Sequence, residues 1–329
     1  MPTLETRTLI NSNGCCLEIS NYGATIISLK IPNKHQELID VIVGLSTPEA
    51  YTQSPYIEQG LYLGSTIGRY AGRISDSKKN NLLKDSQLIF KDGVHLHGGR
   101  NGFDKKYWIL EKQEHPNVVT LSYLSKHLEE GYPGNLKVSV TYTLTEDNEV
   151  CITYTATTDA PTYINLTNHS YFNLNGSGSI LDHHLYIASD HYLEVDTNLI
   201  PTGNYTLTSN NKYDRTESSQ IGRSDFTGYD DTFILKKSLN HIIKASLYAP
   251  KTGIQMEVYT NQPAIVVYTP KVFPKLDFKN NVIYTEYPAI CFENQHFSDA
   301  PNHTHFPSTL LHPGIIYKNE SRYTFSIVD

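Results

Sequence analysis

Two stretches of this chain combine residue types that can move protons. Residues 165–175 (Asn-Leu-Thr-Asn-His-Ser-Tyr-Phe-Asn-Leu-Asn) set His169 among amide, hydroxyl and aromatic side chains. Residues 292–296 (Phe-Glu-Asn-Gln-His) set Glu293 in similar company. Each stretch holds one proton-handling group in otherwise neutral surroundings. Such surroundings complement a ligand with many hydroxyls, apolar ring faces and no charge, as a sugar has. A histidine and a carboxylate meeting across that ligand form an acid/base pair, which implies chemistry as well as binding.

Glu293 follows an apolar run, residues 289–292, that reads as a buried strand. An acid at the end of such a run is partly desolvated, which raises its pKa toward that of a useful base. The plain alternative is a strand-end carboxylate paired with Lys or Arg. His169 taken alone reads more readily as a satisfied core histidine. The crowding of Asn165, Asn168, Asn173 and Asn175 around it favours function, and an imidazolium beside a substrate oxygen is a competent general acid. Gln295 and residues 299–302 add polar groups of the kind that line a cleft.

Three further patterns belong to the same chemistry. His95-Leu-His97-Gly-Gly reads as an extended segment with both histidines on one face, ahead of glycines that permit close approach. His-x-His also suits metal, as do His303-Thr-His305 and His183-His184, but no Cys or carboxylate nearby completes a ligand set, so no metal is expected. Arg69 and Arg73, four residues apart between glycines, are expected to share a side. One would reach the ligand and the other would pair with a structural carboxylate. Asp230 and Asp231 precede a strand; each carboxylate oxygen can accept from one of two vicinal hydroxyls. Strand neighbours face opposite ways, so only one of these acids should face the ligand, with a capping acid as the plain alternative.

The elements that must carry these groups are strands. Residues 136–144 alternate apolar and polar, residues 146–148 form a turn, and 150–156 return as a partner strand. Residues 118–124, 254–259, 265–269 and 323–328 read the same way. Helical periodicity is confined to single turns at 47–52 and 216–221, and the polar stretch 78–84 reads as a surface hairpin tip. Many short strands separated by Gly, Pro and Asn turns indicate an all-β sandwich or barrel. With no repeat, low-complexity tract or linker, residues 1–329 read as a single domain.

Composition bounds the partners. Hydrophobic residues make up 39% of the 329, which suits a modest globular core, and the 24 tyrosines favour strands and sugar-stacking surfaces. A formal net charge of -7 argues against nucleic acid or an anionic membrane. No apolar run approaches the roughly 18 residues of a transmembrane helix. The N-terminal residues lack a basic head followed by an apolar stretch, so no signal peptide, a cytoplasmic location and no glycan at Asn165 or Asn204 are expected. Cys15, Cys16, Cys151 and Cys291 match neither a zinc nor a redox spacing and read as reduced buried thiols. A monomer or weak homodimer is expected.

In order along the chain, these segments resemble the aldose 1-epimerase family, also called galactose mutarotases. The resemblance runs through Asn21-Tyr-Gly-Ala-Thr25, Gly68-Arg-Tyr-Ala-Gly-Arg-Ile74, Leu96-His-Gly-Gly99, Gly102-Phe-Asp104 and Trp108. It continues through Glu130-Gly-Tyr-Pro-Gly134, residues 165–174, Ile200-Pro-Thr-Gly203, Gly228-Tyr-Asp230, Phe292-Glu293, Gln295 and Pro313-Gly314. It implies a large β-sandwich of strongly bent antiparallel sheets that opens and recloses a hexopyranose ring without cofactor or metal. Glu293 matches the family's general base and His169 its general acid. His97, Arg73 and Asp230 match substrate-holding positions, Asp230 as the hydroxyl clamp. The chain departs from the family pattern at Gly72, Val94, Asp231 and Asn294, neighbours expected to shape hydroxyl recognition.

Other readings make different demands. A hexose-6-phosphate epimerase needs a cationic pocket, for which Arg100 or Lys105-Lys106 are the weak candidates. A non-catalytic sugar binder needs no matched acid and base. A glycoside hydrolase would use paired carboxylates such as Asp230 and Glu293.

Overall fold

The computed structural model describes residues 3–76, 86–236 and 241–328. Among them nine strands form one antiparallel sheet. From edge to edge it runs through Ser219–Gln220, His184–Ile187, Ala245–Tyr248, Ile254–Thr260, Tyr317–Ile327, Glu149–Thr158, Leu136–Leu144, Val118–Ser125 and Ile109–Leu110. Six more form a second antiparallel sheet in the order Tyr171–Phe172, Ile290–Gln295, Ala264–Tyr268, Asp230–Ile234, His191–Val195 and Pro201–Leu207. Four N-terminal strands between Thr6 and Asp40 make a third sheet.

Alternation explains the strands of the large sheet. In Leu136–Leu144 every apolar residue is buried and the residues between are exposed or half-buried. Its register with Glu149–Thr158 sets Leu144 opposite Val150 and Leu136 opposite Thr158. The inner faces of the two large sheets meet in one hydrophobic cluster, with Val140, Met256 and Phe325 on one side and Ile265, Val267 and Phe292 on the other. Tyrosines take part because their hydroxyls find partners. Tyr142 donates to the Ala24 carbonyl at 2.6 Å, and Tyr154 bonds Thr66 Oγ1 at 3.1 Å. The strand Ile290–Gln295 is buried at all six positions, since both of its faces are covered.

Strands occur at each expected segment, within a residue or two for most. Residues 323–328 prove to be the end of the longer strand Tyr317–Ile327. Its polar first half hid it: Asn319 is fully buried, its amide donating to the Leu166 and Asn294 carbonyls. Residues 47–52 contain the expected turn of helix, Pro48–Thr52, capped by Thr47. Residues 216–221 do not. Arg215 takes the Gln220 carbonyl at 2.8 Å and Ser219 Oγ at 3.0 Å, and Ser219–Gln220 pairs as an edge strand with His184 and Leu185. Residues 78–84 lie outside the described residues. Cys15 and Cys291 are buried free thiols, whereas Cys16 and Cys151 are only half-buried. No helix among the described residues is long and apolar enough to cross a membrane.

Arg69 holds the N-terminal half to the large sheet, and not through a carboxylate as expected. Its guanidinium is buried and donates to Ser125 Oγ and to the carbonyls of Ser125, Lys126, Pro133 and Gly134, all within 3.0 Å. Glu129 approaches only through Ser125 Oγ. Burial lowers the Arg69 pKa to about 10, still charged at neutral pH. Arg69→Met should destabilise the protein by about 3 kcal/mol or more, because several buried acceptors lose their donor. Arg69→Lys should recover only part of that, since one ammonium cannot reach acceptors arranged around a planar fork. Urea midpoints check this; two variants within about 1 kcal/mol of wild type would refute the role.

Candidate active site

A cavity of about 230 Å³ opens on the face of the six-stranded sheet turned away from the core. Antiparallel register determines what it contains. Thr232, Val266 and Glu293 stand side by side on three strands; Asp230, Tyr268, Cys291 and Tyr171 form the next row. Directly opposed residues share a face, so these rows project together, and all but Cys291 line the cavity. Their neighbours Val267 and Phe292 point into the core. Asp231 is buried out of the cavity and accepts the Asp230 N–H. One acid of the pair faces the cavity, as expected, and it is Asp230.

His169 lies between two short strands and is anchored by its backbone. Its N–H donates to the Ser65 carbonyl and its own carbonyl accepts from Gly64 N–H, both at 3.0 Å. The asparagines around it do not reach for a ligand. Asn168 donates to the Gly64 carbonyl and accepts from Ser170; Asn165 bonds Ala71 and both backbone groups of His296; Asn173 donates to Ser177 and Pro288. They tie segments distant in sequence around the histidine. Asp299 behaves likewise. Its carboxylate serves Ser75 and Asn302, and its N–H donates to the Arg73 carbonyl at 2.7 Å, bracing the arginine's strand.

All five predicted site residues, Glu293, His169, Arg73, His97 and Asp230, line this one cavity. His169 Nε2 stands 3.5 Å from Glu293 Oε1, and Arg73 Nη2 stands 3.4 Å from Asp230 Oδ2. His95 does not join them. After the short strand Val94–Leu96 the backbone of His97 turns left-handed, with φ of 50°, so the histidines part. His95 packs against Phe90 and Tyr132, while His97 lies against Tyr62 and His169. Sequence reading missed Tyr62, Tyr171 and Tyr268, whose rings surround His169. The tyrosine-rich composition hinted at such surfaces without locating them. Of the four departures from the family pattern, only Gly72 lines the cavity. Asn294 donates instead to Tyr323 in the core.

Electrostatics follow from burial. Desolvation, reinforced by Asp230 and opposed by Arg73, raises the Glu293 pKa to about 8. Desolvation lowers His169 to about 4 and holds His97 well below its ordinary value. At neutral pH the proton of the pair therefore rests on Glu293. His97 Nδ1 accepts the Gly72 N–H at 3.2 Å, so its neutral ring carries the proton on Nε2 and is a hydrogen-bond donor. Contrary to the sequence expectation, a carboxylate does stand beside His97: ligand-type atoms of His97, His169 and Glu293 lie within 4.8 Å of one another. A metal at His97 Nε2 would have to displace that proton and the bond to Gly72. The arrangement suits proton transfer to and from a neutral, hydroxyl-bearing ligand.

The sequence profile described as aldose 1-epimerase matches residues 5–324. The chain is similar to the galactose mutarotase of Rattus norvegicus, 36% identical over 326 residues that cover 97% of this chain and 93% of that one. It is similar to the aldose 1-epimerase of Escherichia coli, 33% identical over 97% of this chain and 94% of that one. Its fold matches the crystal structure of a GalM/aldose epimerase homologue from C. elegans with a TM-score of 0.87 at 30% identity, covering 99% of this chain and 100% of that one.

The raised pKa of Glu293 has a consequence for stability. The folded protein keeps a proton that the unfolded chain releases between pH 4.5 and about 8, so stability falls as pH rises through that window. Glu293→Gln has no such proton. Its melting temperature should gain on wild type steadily from pH 5 to pH 8 and then level off. A pH-independent difference would show that the carboxyl is not perturbed.

Proposed function

This chain belongs to the aldose 1-epimerase family, and from that premise we propose that its cavity opens and recloses the pyranose ring of free hexoses such as galactose and glucose. The protein is thus an isomerase that interconverts α and β anomers. Glu293 takes the proton of the anomeric hydroxyl while His169 protonates the ring oxygen, and the bond from C1 to that oxygen breaks. Rotation about C1–C2 in the open aldehyde turns the carbonyl, and reversal of both transfers closes the other anomer. The observation that carries this reading is the 3.5 Å approach of His169 and Glu293 inside a cavity that also holds Arg73, His97 and Asp230.

Ring opening moves one proton onto the carboxylate and one off the imidazolium, which leaves a neutral acid beside a neutral base. Burial favours that same state in the free protein, so the proton must pass from Glu293 to His169, 3.5 Å away, before a ring can open. Both reacting oxygens sit on one carbon, so a closely spaced pair serves both transfers. His97 offers an Nε2–H donor and Asp230, one-third exposed, offers two acceptors to vicinal hydroxyls. Among the described lining residues Arg73 is the one cation, while Lys105 is paired with Asp104 and Lys106 with Glu129. A sugar-phosphate substrate gains no support from that.

The same proposal covers the setting: a cytoplasmic monomer or weak homodimer, one domain over residues 1–329, with no cofactor, metal, nucleic acid or membrane partner. The hydrophobic cluster that extends from Leu9 to Phe325 across both large sheets supports a single domain.

Polarimetry of freshly dissolved α-galactose and α-glucose should show mutarotation accelerated by the protein. Glu293→Gln and His169→Asn should each lower kcat/KM by about 10²–10⁴-fold; near wild-type rates would remove either residue from the mechanism. Only the singly protonated pair is competent, so kcat/KM should be flat from about pH 5 to 7 and decline above about 8. A decline centred near pH 6.5 would mean that His169 titrates as an ordinary histidine and refute the buried-pair account.

A further inference from the structure

Gln295 is fully buried, lines the cavity, and has no hydrogen-bond partner for either Nε2 or Oε1. It lies two residues beyond Glu293 on the same strand, so both side chains project from one face. A primary amide removed from water with both ends unmatched is unfavourable. Such a group persists where a ligand completes it. The other amides near the site, Asn165, Asn168 and Asn173, are all bonded to backbone.

Beside Gln295, Ser298 fills the space that a side chain at position 72 would take. Gly72 takes φ of 79°, and a Cβ at that position would collide with Ser298 Oγ and come within 3.3 Å of Gln295 Nε2. Position 72 thus contributes backbone alone, and Gln295 and Ser298 supply the polar groups on this side. Both Gly72 and Ser298 line the cavity with Gln295.

We propose that Gln295 is a specificity-determining residue that grips one ring hydroxyl of the hexose, with Ser298 beside it. This rests on the anomer-interconverting reading above. A hydroxyl both donates and accepts; the amide offers an acceptor and a donor side by side and can satisfy both functions. Gln295 handles no proton in the reaction. It holds the ring so that O1 and O5 meet Glu293 and His169, and its loss acts through binding of the sugar and of the transition state together.

The test is Gln295→Met, which keeps the side chain's length and removes both polar ends. Without sugar this variant should melt higher than wild type, because an unmatched amide has gone. With galactose its kcat/KM should fall about tenfold. Across 2-, 3-, 4- and 6-deoxygalactose the loss should vanish for one analogue, the one lacking the gripped hydroxyl. Gln295→Glu, whose buried carboxyl is held protonated as that of Glu293 is and so still offers one donor and one acceptor, should retain the same single-hydroxyl dependence with a smaller loss. Binding of methyl β-galactoside, which has no free anomeric hydroxyl, should weaken in parallel. Equal losses on every deoxy sugar, or none, would overturn the proposal. Wild-type polarimetry separates the two failures: no acceleration by wild type sinks the reaction, whereas an active wild type with an indifferent Gln295→Met sinks only the role of Gln295.

Discussion

Burial of the Glu293 carboxyl against the His169 imidazole is the constraint to which the rest of this site answers. Removed from water, each group resists its charged form, and a single proton is left on the carboxyl. The cost of charging the pair depends on what surrounds it. Asp230 opposes the carboxylate, Arg73 stabilises it to a lesser degree, and the two are themselves 3.4 Å apart. A sugar that engages Asp230 and Arg73 would change that balance at the moment the proton must move.

Pleating of the six-stranded sheet turns this chemistry into geometry. Neighbouring residues on a strand face opposite sides, and opposed residues on paired strands face the same side. Asp230, Glu293 and Gln295 therefore look into one cavity, while Asp231, Phe292 and Asn294 look away from it. A register shift of one residue would exchange the two sets. Packing against the nine-stranded sheet prevents such a shift, because it would bring Glu293 into the hydrophobic core and expose Phe292.

Polar side chains near the site divide into those that hold the protein and those left for a ligand. Asn165, Asn168, Asn173, Asp299 and Arg69 spend their capacity on backbone and on neighbouring side chains. His97 spends one ring nitrogen on Gly72 and keeps the other. Gln295 spends nothing. Sequence composition cannot make this division, since an asparagine that staples two loops and one that grips a hydroxyl have the same side chain. The asparagines around His169 drew attention to a histidine that lines the cavity, but they act as its scaffold.

Alternation of apolar and polar residues was enough to determine the β class and most of the strands, because the period of two is a local property of the chain. Residue type was enough to mark His169 and Glu293 as groups fit for proton transfer, but it left His95 or His97, Arg69 or Arg73, and Asp230 or Asp231 open, and only the family resemblance chose among them. Local pattern failed where long-range bonds overrode it, as when Arg215 claims carbonyls that a helical turn would use and when buried Asn319 extends a strand through polar sequence. It failed also for His95 and Arg69, whose companions at i+2 and i+4 reach the cavity while they do not. Only the tertiary structure decided these matters, and with them the protonation of the central pair. Desolvation, register and hydrogen-bond satisfaction are set by residues brought together from distant parts of the chain, and no local stretch of sequence contains them.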